Sequence, residues 1–367
     1  MKTIVISAVN LRKGGTLTIL RNCLEYLDTI ADGKRYRVVA LVHDKRLALY
    51  PNIEYIEIPW ALDTWVNRLY CEYIYMHRLS AELSPVYLWL SLHDTTPNVR
   101  AERRAVYCHN PFPFFGWKWK YLFMNYRIVF LAWFSKAIYR INIHKDDYVV
   151  VQQEWLRESF VRMFGLERGR IVVALPNSAA AEIKGRPSPP DGVYRFIFAS
   201  YADIHKNFET LCEAARLLEG DIGRGRFTVT LTIAGGENRY AAYLKRHWGG
   251  VDSLRFAGFM SRDRLYECYS ESDCMVFPSK VETWGLPISE FAVSGRPMLL
   301  ADLPYAHETA RGSMKTAFFA ADSPYELKTM MKRLVEGDEG FLSEVKTKEI
   351  RKPLTHTWGE LFNILLN

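Results

Sequence analysis

Residues 277–290 read FPSKVETWGLPISE. An apolar run from Cys274 to Pro278 has the look of a buried strand. A helical pattern starts near Pro287, and proline suits the first turn of a helix. The loop between them therefore sits at the carboxyl end of a strand, where ligands of open parallel sheets bind. Backbone N–H groups at the helix start suit an anion such as a phosphate. Glu282 falls on the loop and Glu290 within the first helical turn. Two carboxylates so placed can grip two hydroxyl-bearing groups of one ligand. The same pattern admits a plainer reading, in which Glu290 complements the helix dipole and Glu282 is solvated.

Outward from this stretch the chain alternates strand and helix. Upstream lie a strand over Tyr194–Ser200, a helix over Phe208–Leu218, and a strand over Thr228–Ala234 ending in Gly235-Gly236. Then come a helix closing at Leu244–Trp248, a strand over Leu254–Gly258 and a helix over Arg262–Ser270. Downstream a strand follows at Pro297–Ala301, then helices over 324–337 and 357–366. The N-terminal half repeats the alternation. Strands are expected at residues 1–9, Arg37–Val42, Ile53–Ile58, Val86–Leu90, 105–108, Asp147–Gln152 and Ile171–Leu175. Helices are expected at 16–31, within 60–92 ahead of the Val86–Leu90 strand, and at Glu154–Phe164. Near-continuous apolar strands argue for parallel sheets covered on both faces. Four prolines (Pro176, Pro187, Pro189, Pro190) with Gly185 and Gly192 mark a linker.

Length and composition agree. The chain has 367 residues, 49% hydrophobic and 24% charged, which is ordinary for a folded protein and excludes a disordered, collagen-like or coiled-coil chain. At roughly 150 residues per domain, two domains are expected. Lys+Arg exceed Asp+Glu by 48 to 41, a net charge of +7 that is too modest to argue for nucleic acid. The six cysteines form no C-x-x-C pair, so neither a zinc site nor a disulfide framework is expected and a reducing compartment fits. Met1–Ser7 does not read as a signal peptide. No run of 18 or more apolar residues predicts a spanning helix.

Other motifs share the order and spacing of one family. Glu282 and Glu290 with Gly285-Leu286-Pro287 resemble the Glu-x7-Glu signature of retaining GT-B glycosyltransferases of family 4, the glycosyl transferases group 1. Ser294-Gly295-Arg296-Pro297 resembles that family's A-x-G-x-P turn. Phe256-Ala257-Gly258-Phe259-Met260 resembles its F-x-G-F/Y-V element. Ile233–Gly236 resembles its I-x-G-x-G strand end, and His205-Lys206-Asn207 its K-G/N element. The resemblance covers 194–305, and in the N-terminal half extends only to the Gly-containing loop and the alternation.

The resemblance implies an α/β protein of the GT-B fold, with two Rossmann-like domains facing a cleft. Residues 1–178 would form the acceptor-side domain, 179–192 the linker and 193–352 the nucleotide-sugar domain. The C-terminal helix, 353–367, would return to the N-terminal domain. Lys206 would place its ammonium on the donor diphosphate, Glu282 would hold sugar hydroxyls near the anomeric carbon, and Glu290 the ribose. Leu286, beside Thr283, Gly285 and Pro287, would offer a backbone N–H to phosphate, while Gly235 and Phe259 would line the base site. Where the family often has Arg, five positions before Lys206, this chain has Tyr201. Gly14-Gly15 follow the first strand, and their missing side chains allow a diphosphate or sugar to approach the backbone; a simple turn is the alternative. They do not make a G-x-G-x-x-G fingerprint, which argues against an NAD enzyme. His109 ends a strand and, by the resemblance, would sit next to the donor sugar; a structural His is the alternative.

The implied activity is retaining sugar transfer from a UDP- or GDP-sugar to a glycan acceptor. That acceptor would be linked to polyprenyl diphosphate in bacterial surface polysaccharide synthesis. No metal and no other cofactor is expected, because no Asp-x-Asp pair stands in a loop. A GT-B epimerase or phosphorylase and a non-catalytic nucleotide-sugar-binding protein are the alternatives. From Arg103 to Lys145 there are eight Lys/Arg, no Asp or Glu and thirteen aromatics. Trp117, Lys118, Trp119, Trp133, Phe134, Lys136 and their neighbours suit an anionic membrane surface. A cytoplasmic protein, peripheral at the inner face of the membrane, is the expectation. The alternative is an aromatic core with a solvated basic face.

Overall fold

The computed structural model describes residues 1–116, 120–176 and 191–367. Trp117, Lys118, Trp119 and linker residues 179–190 lie outside the described residues, as do the side chains of Lys120, Tyr121, Phe123 and Arg127.

The chain forms two compact units. The first comprises Met1–Asn110, Phe134–Asn177 and Ile350–Asn367, and the second Pro111–Trp133 and Ser178–Glu349. Each is built on one parallel sheet.

In the first unit the strands are β1 (Lys2–Ser7), β2 (Tyr36–Val42), β3 (Ile53–Glu57), β4 (Val86–Ser91), β5 (Arg103–Cys108), β6 (Tyr148–Val151) and β7 (Ile171–Ala174). In the second they are β8 (Tyr194–Phe198), β9 (Phe227–Leu231), β10 (Leu254–Phe256), β11 (Cys274–Phe277), β12 (Met298–Ala301) and β13 (Thr316–Phe319). A last strand, β14 (Leu354–Thr355), pairs with β7 and completes the first sheet.

The first sheet runs β14-β7-β6-β5-β4-β1-β2-β3 and the second β10-β9-β8-β11-β12-β13. Both orders are the Rossmann one. The chain winds outward from β1 or β8 in one direction, then returns to lay β4 or β11 on the other side. That reversal leaves a crevice at the carboxyl ends of β1 and β4, and of β8 and β11.

The pleat explains the apolar runs. Ile4 and Ile6 point to one face of the first sheet and join Leu20, Leu24 and Leu27 of helix Gly14–Ile30. Val5 points to the other face and joins Val39, Met76 and Trp89. With both faces covered, a strand needs no polar side, so continuous rather than alternating hydrophobicity results. The C-terminal helix Trp358–Leu366 belongs to the first unit: Phe362 stacks on Tyr26 at 5.6 Å, and the Tyr87 hydroxyl donates to the Leu366 carbonyl at 2.7 Å.

Helix bounds differ from expectation in one way that touches the site. The helix after β11 runs Leu286–Ala292, with no acidic residue in its first turn. Glu290 is thus the fifth helical residue, just past the first turn over which the dipole acts, and the expected first-turn position is corrected. Helix Pro304–Thr309 and the strands β13 and β14 add to the expected elements. Among the described residues no helix is long and apolar enough to cross a membrane. All six cysteines are free and buried.

Candidate active site

The crevice of the second sheet is lined by the loops after β8 and β11, and these are stitched together. Asn207, in the left-handed region at φ 57°, donates its side-chain amide to the Pro278 carbonyl at 3.0 Å and the Ala321 carbonyl at 2.7 Å. The Lys280 N–H donates to the His205 carbonyl at 2.8 Å. The buried Tyr305 hydroxyl donates to the Ser279 carbonyl at 2.6 Å. Neither loop can shift alone without breaking these bonds.

This stitching brings Lys206 and Glu282 face to face. Lys206 Nζ donates to Glu282 Oε1 at 2.5 Å, and both residues are buried. Ser279 Oγ donates to the same oxygen at 2.6 Å. Burial acts to lower the Lys206 pKa, but the Glu282 charge, Tyr201 and the hydrogen bond to Glu282 outweigh it, and the net shift is upward. The ammonium therefore stays charged. It has three N–H donors, one of them spent on Glu282. On Glu282, both bonds fall on Oε1, which leaves Oε2 to accept from a ligand hydroxyl. Tyr201 stands where the resembled family often has Arg, with its ring 4.8 Å from Lys206 Nζ in a cation–π contact. The His205 ring is buried and meets Phe112, Phe115 and Tyr201 edge-on, with centroids 5.3, 6.4 and 6.0 Å away.

Gly285 precedes the helix at φ 88°, and a Cβ there would stand 3.3 Å from Ile288. A glycine fits this position on both counts. Leu286 and Pro287 begin the helix, and Thr283 lies on the loop between them and Glu282. Among the described bonds none brings Glu290 to Glu282. It faces a different set: Arg262 and the hydroxyls of Tyr266 and Tyr269. Burial raises its pKa, the cation and the hydroxyls oppose this, and the net direction is up.

Gly235 ends the loop after β9 at φ 105°, where an added Cβ would lie 2.7 Å from the Lys245 side chain. Its N–H donates to Glu237 Oε2 at 2.9 Å, so this backbone nest holds the chain's own carboxylate. A Cβ on Gly258 would stand 3.6 Å from the Ala234 Cβ, which makes the loops after β9 and β10 neighbours. Phe259, on the second of these, is 92% exposed, so it is a free aromatic face rather than core.

Gly14, Gly15 and His109 belong to the first unit. Gly14 and Gly15 open the helix after β1 and are exposed. His109 follows β5. Its N–H donates to Asp94 Oδ1 at 2.6 Å, and its Nε2 lies 3.5 Å from Asp94 Oδ2. Among the described residues no three His, Cys, Asp or Glu side chains converge to hold a metal ion.

Sequence reading gave no role of their own to Ser279 and Asn207, which it met only inside motifs, and did not single out Tyr305 or Asp94. Ser279 had a signal, being a hydroxyl three residues before a carboxylate at a strand end. The others act across 15 to 114 residues of chain, for which a single sequence carries no sign.

The fold recurs in solved structures. Sucrose-phosphate synthase from Thermosynechococcus elongatus superposes with a TM-score of 0.61 at 13% identity, over 100% of this chain and 95% of that one. WaaG, a glycosyltransferase involved in lipopolysaccharide biosynthesis, gives 0.65 at 14%, over 91% and 90%. The fold is GT-B. Anabaena HepE, solved in complex with UDP-glucose, shares the GT-B fold at 0.61 and 12%, over 92% and 90%. In sequence, residues 194–337 match the family model of the glycosyl transferases group 1. That span holds Lys206, Gly235, Phe259, Glu282 and Glu290. No curated protein matches the chain in sequence.

Proposed function

We propose that the protein is a retaining, metal-independent glycosyltransferase. It moves a sugar from a UDP- or GDP-sugar to a glycan acceptor, lipid-linked and used in surface polysaccharide synthesis. The observation that carries this reading is the buried Lys206–Glu282 pair at the switch point of the second sheet, inside the span that matches the family model.

The pair assigns roles by its chemistry. The remaining N–H donors of Lys206 stabilise the diphosphate as negative charge builds on the leaving oxygen. Glu282 Oε2 takes a sugar hydroxyl, which fixes the anomeric carbon relative to that ammonium. Glu290 accepts from the ribose, and Phe259 offers a face to the base. His109 hydrogen-bonds the sugar or the acceptor. The anomeric bond to the diphosphate oxygen breaks while a bond to the acceptor oxygen forms on the same face. The acceptor proton passes to the departing phosphate. Lys206 and backbone N–H groups supply the positive charge, so no metal enters.

WaaG is named for lipopolysaccharide biosynthesis and HepE was solved with UDP-glucose, which supports a UDP-sugar and a surface-glycan acceptor. Membrane attachment rests on helix Lys120–Arg140, where Trp133 and Phe134 are exposed next to exposed Lys136 and Arg140. Nucleotide release from a panel of UDP-, GDP- and ADP-sugars, with and without a lipid-linked glycan, tests the proposal. Acceptor-dependent release of one nucleotide supports it. Binding of nucleotide-sugar without release under any condition would overturn it.

A further inference from the structure

We infer that Asp94 is a positioning residue that fixes His109, a role that rests on the transfer reaction proposed above. The inference starts from a strained backbone. Asp94 lies just past β4 at φ 70°, in the left-handed region that Asp and Asn enter more readily than other side chains but still at a cost. Such a conformation persists only where its surroundings hold it.

The surroundings hold it from both sides. On one side His93 and Thr95, its neighbours, are locked into a buried polar network. His93 Nε2 is 3.0 Å from Ser7 Oγ at the end of β1, and His93 Nδ1 is 2.9 Å from Thr95 Oγ1. Thr95 Oγ1 in turn donates to Glu72 Oε2 at 2.7 Å, and Glu72 is paired with Arg68. On the other side the Asp94 N–H donates to the Tyr107 carbonyl of β5 at 3.3 Å.

So fixed, the carboxylate points along the end of β5. Oδ1 accepts from the N–H groups of both His109 and Asn110, at 2.6 and 2.9 Å. Oδ2 stands 3.5 Å from His109 Nε2. One carboxylate thus sets the backbone turn that carries His109 and faces its ring. The Tyr107 ring, stacked in turn by Trp358 at 5.9 Å, lies 6.0 Å from the imidazole. Asp94 does not have to touch substrate to matter: it sets which way the imidazole presents its nitrogens.

The test uses the full chain labelled with [15N]histidine, with imidazole signals recorded at pH 7 and His109 identified through His109→Gln. In Asp94→Asn, whose side chain tolerates the left-handed region and keeps an acceptor for the two N–H groups, the His109 ring signals are expected to move. Of the nine histidines, the others should stay, apart from adjacent His93. Asp94→Gly, which fits the backbone and removes the carboxylate, gives the same readout and serves if Asp94→Asn does not fold. Unchanged His109 signals in a folded variant overturn the inference. The second arm measures nucleotide release from the sugar of the panel that wild type turns over. Asp94→Asn should lower kcat about 10²-fold with KM little changed, yet cost nothing further in the His109→Gln background. Equal losses in both backgrounds would make Asp94 merely structural. If wild type releases no nucleotide from any sugar of the panel, that counts against the transfer reading, and the ring signals alone decide the role of Asp94.

Discussion

Lys206 Nζ lies 2.5 Å from Glu282 Oε1 although 76 residues separate them in the chain. Each residue leaves one of the two strands, β8 and β11, between which the second sheet reverses its order. A buried pair of this kind is asymmetric in its energetics. Removing one partner leaves a charge without its counterion and costs about 3–5 kcal/mol, whereas replacing both with neutral groups of similar shape costs much less.

Lys206→Met and Glu282→Gln are therefore each expected to lower stability in urea unfolding, and the double variant to recover most of the loss. Activity should not follow. Both single variants and the double should lose about 10²–10³-fold in kcat, because each removes a preorganised contact to the diphosphate or sugar. A double variant that regains turnover along with stability would mean that the pair is structural.

Glu290 predicts an opposite trade. Its folded pKa is raised, chiefly by burial, so the folded protein holds that proton more tightly than the unfolded chain. The sign follows: this carboxylate destabilises the protein once pH rises above the ordinary carboxylate range, and the penalty vanishes below it. Glu290→Gln should raise the melting temperature at neutral pH and leave it unchanged in acid. The same variant should weaken nucleotide binding if Glu290 accepts from the ribose. Thermal scans from acid to neutral pH, with and without UDP, check both halves.

Asp146 gives a second pH signature, in the first unit. Burial pushes its pKa up to about 8, against the Thr96 hydroxyl and nearby Arg104. It is protonated at neutral pH in the folded state and ionised in the unfolded one. Stability due to this group should fall as pH rises from the ordinary carboxylate range to about 8, by at most about 1.4 kcal/mol per pH unit. Asp146→Asn should flatten that slope, measured by urea unfolding at several pH values.

Turnover should survive EDTA, since Lys206 and backbone N–H groups are assigned the charge that a metal would otherwise supply. Loss in EDTA that only Mg²⁺ or Mn²⁺ restores would remove metal independence from the account.

Sedimentation with anionic liposomes tests the membrane reading. Lys136 and Arg140, exposed on helix Lys120–Arg140, act through a Debye length of about 8 Å at physiological salt, and each contributes about 1 kcal/mol. Lys136→Gln/Arg140→Gln should weaken the salt-sensitive part of binding, and Trp133→Ala/Phe134→Ala the salt-resistant part. Equal sedimentation of wild type and both variants would remove this helix from the membrane.

Much of this architecture is legible in the amino-acid sequence itself. Buried parallel strands are continuous apolar runs, so β1, β2, β11 and β12 stand out, and helix Glu154–Phe164 occupies the residues over which its periodicity predicts it. The loops carrying Lys206 and Glu282 are legible because a strand end and a helix start bracket them. Elements of two to six residues, such as β14 and helix Pro304–Thr309, are too short to show a period. The bond between Lys206 and Glu282 is not legible either, because sheet order decides which strand ends become neighbours. The left-handed turn at Asp94 depends in the same way on Ser7, Glu72 and Tyr107, which lie on other elements.

Thermal shift against UDP, GDP, ADP and their sugars measures the central claim most directly. A ligand that binds only the folded state stabilises it by RT ln(1 + [L]/Kd), which is about 2.7 kcal/mol at 100-fold excess over Kd. One nucleotide and its sugar should raise the melting temperature of wild type, and the shift should largely disappear in Lys206→Met and Glu290→Gln. No shift with any nucleotide, or an undiminished shift in both variants, would contradict the assignment of the second sheet's crevice as a nucleotide-sugar site.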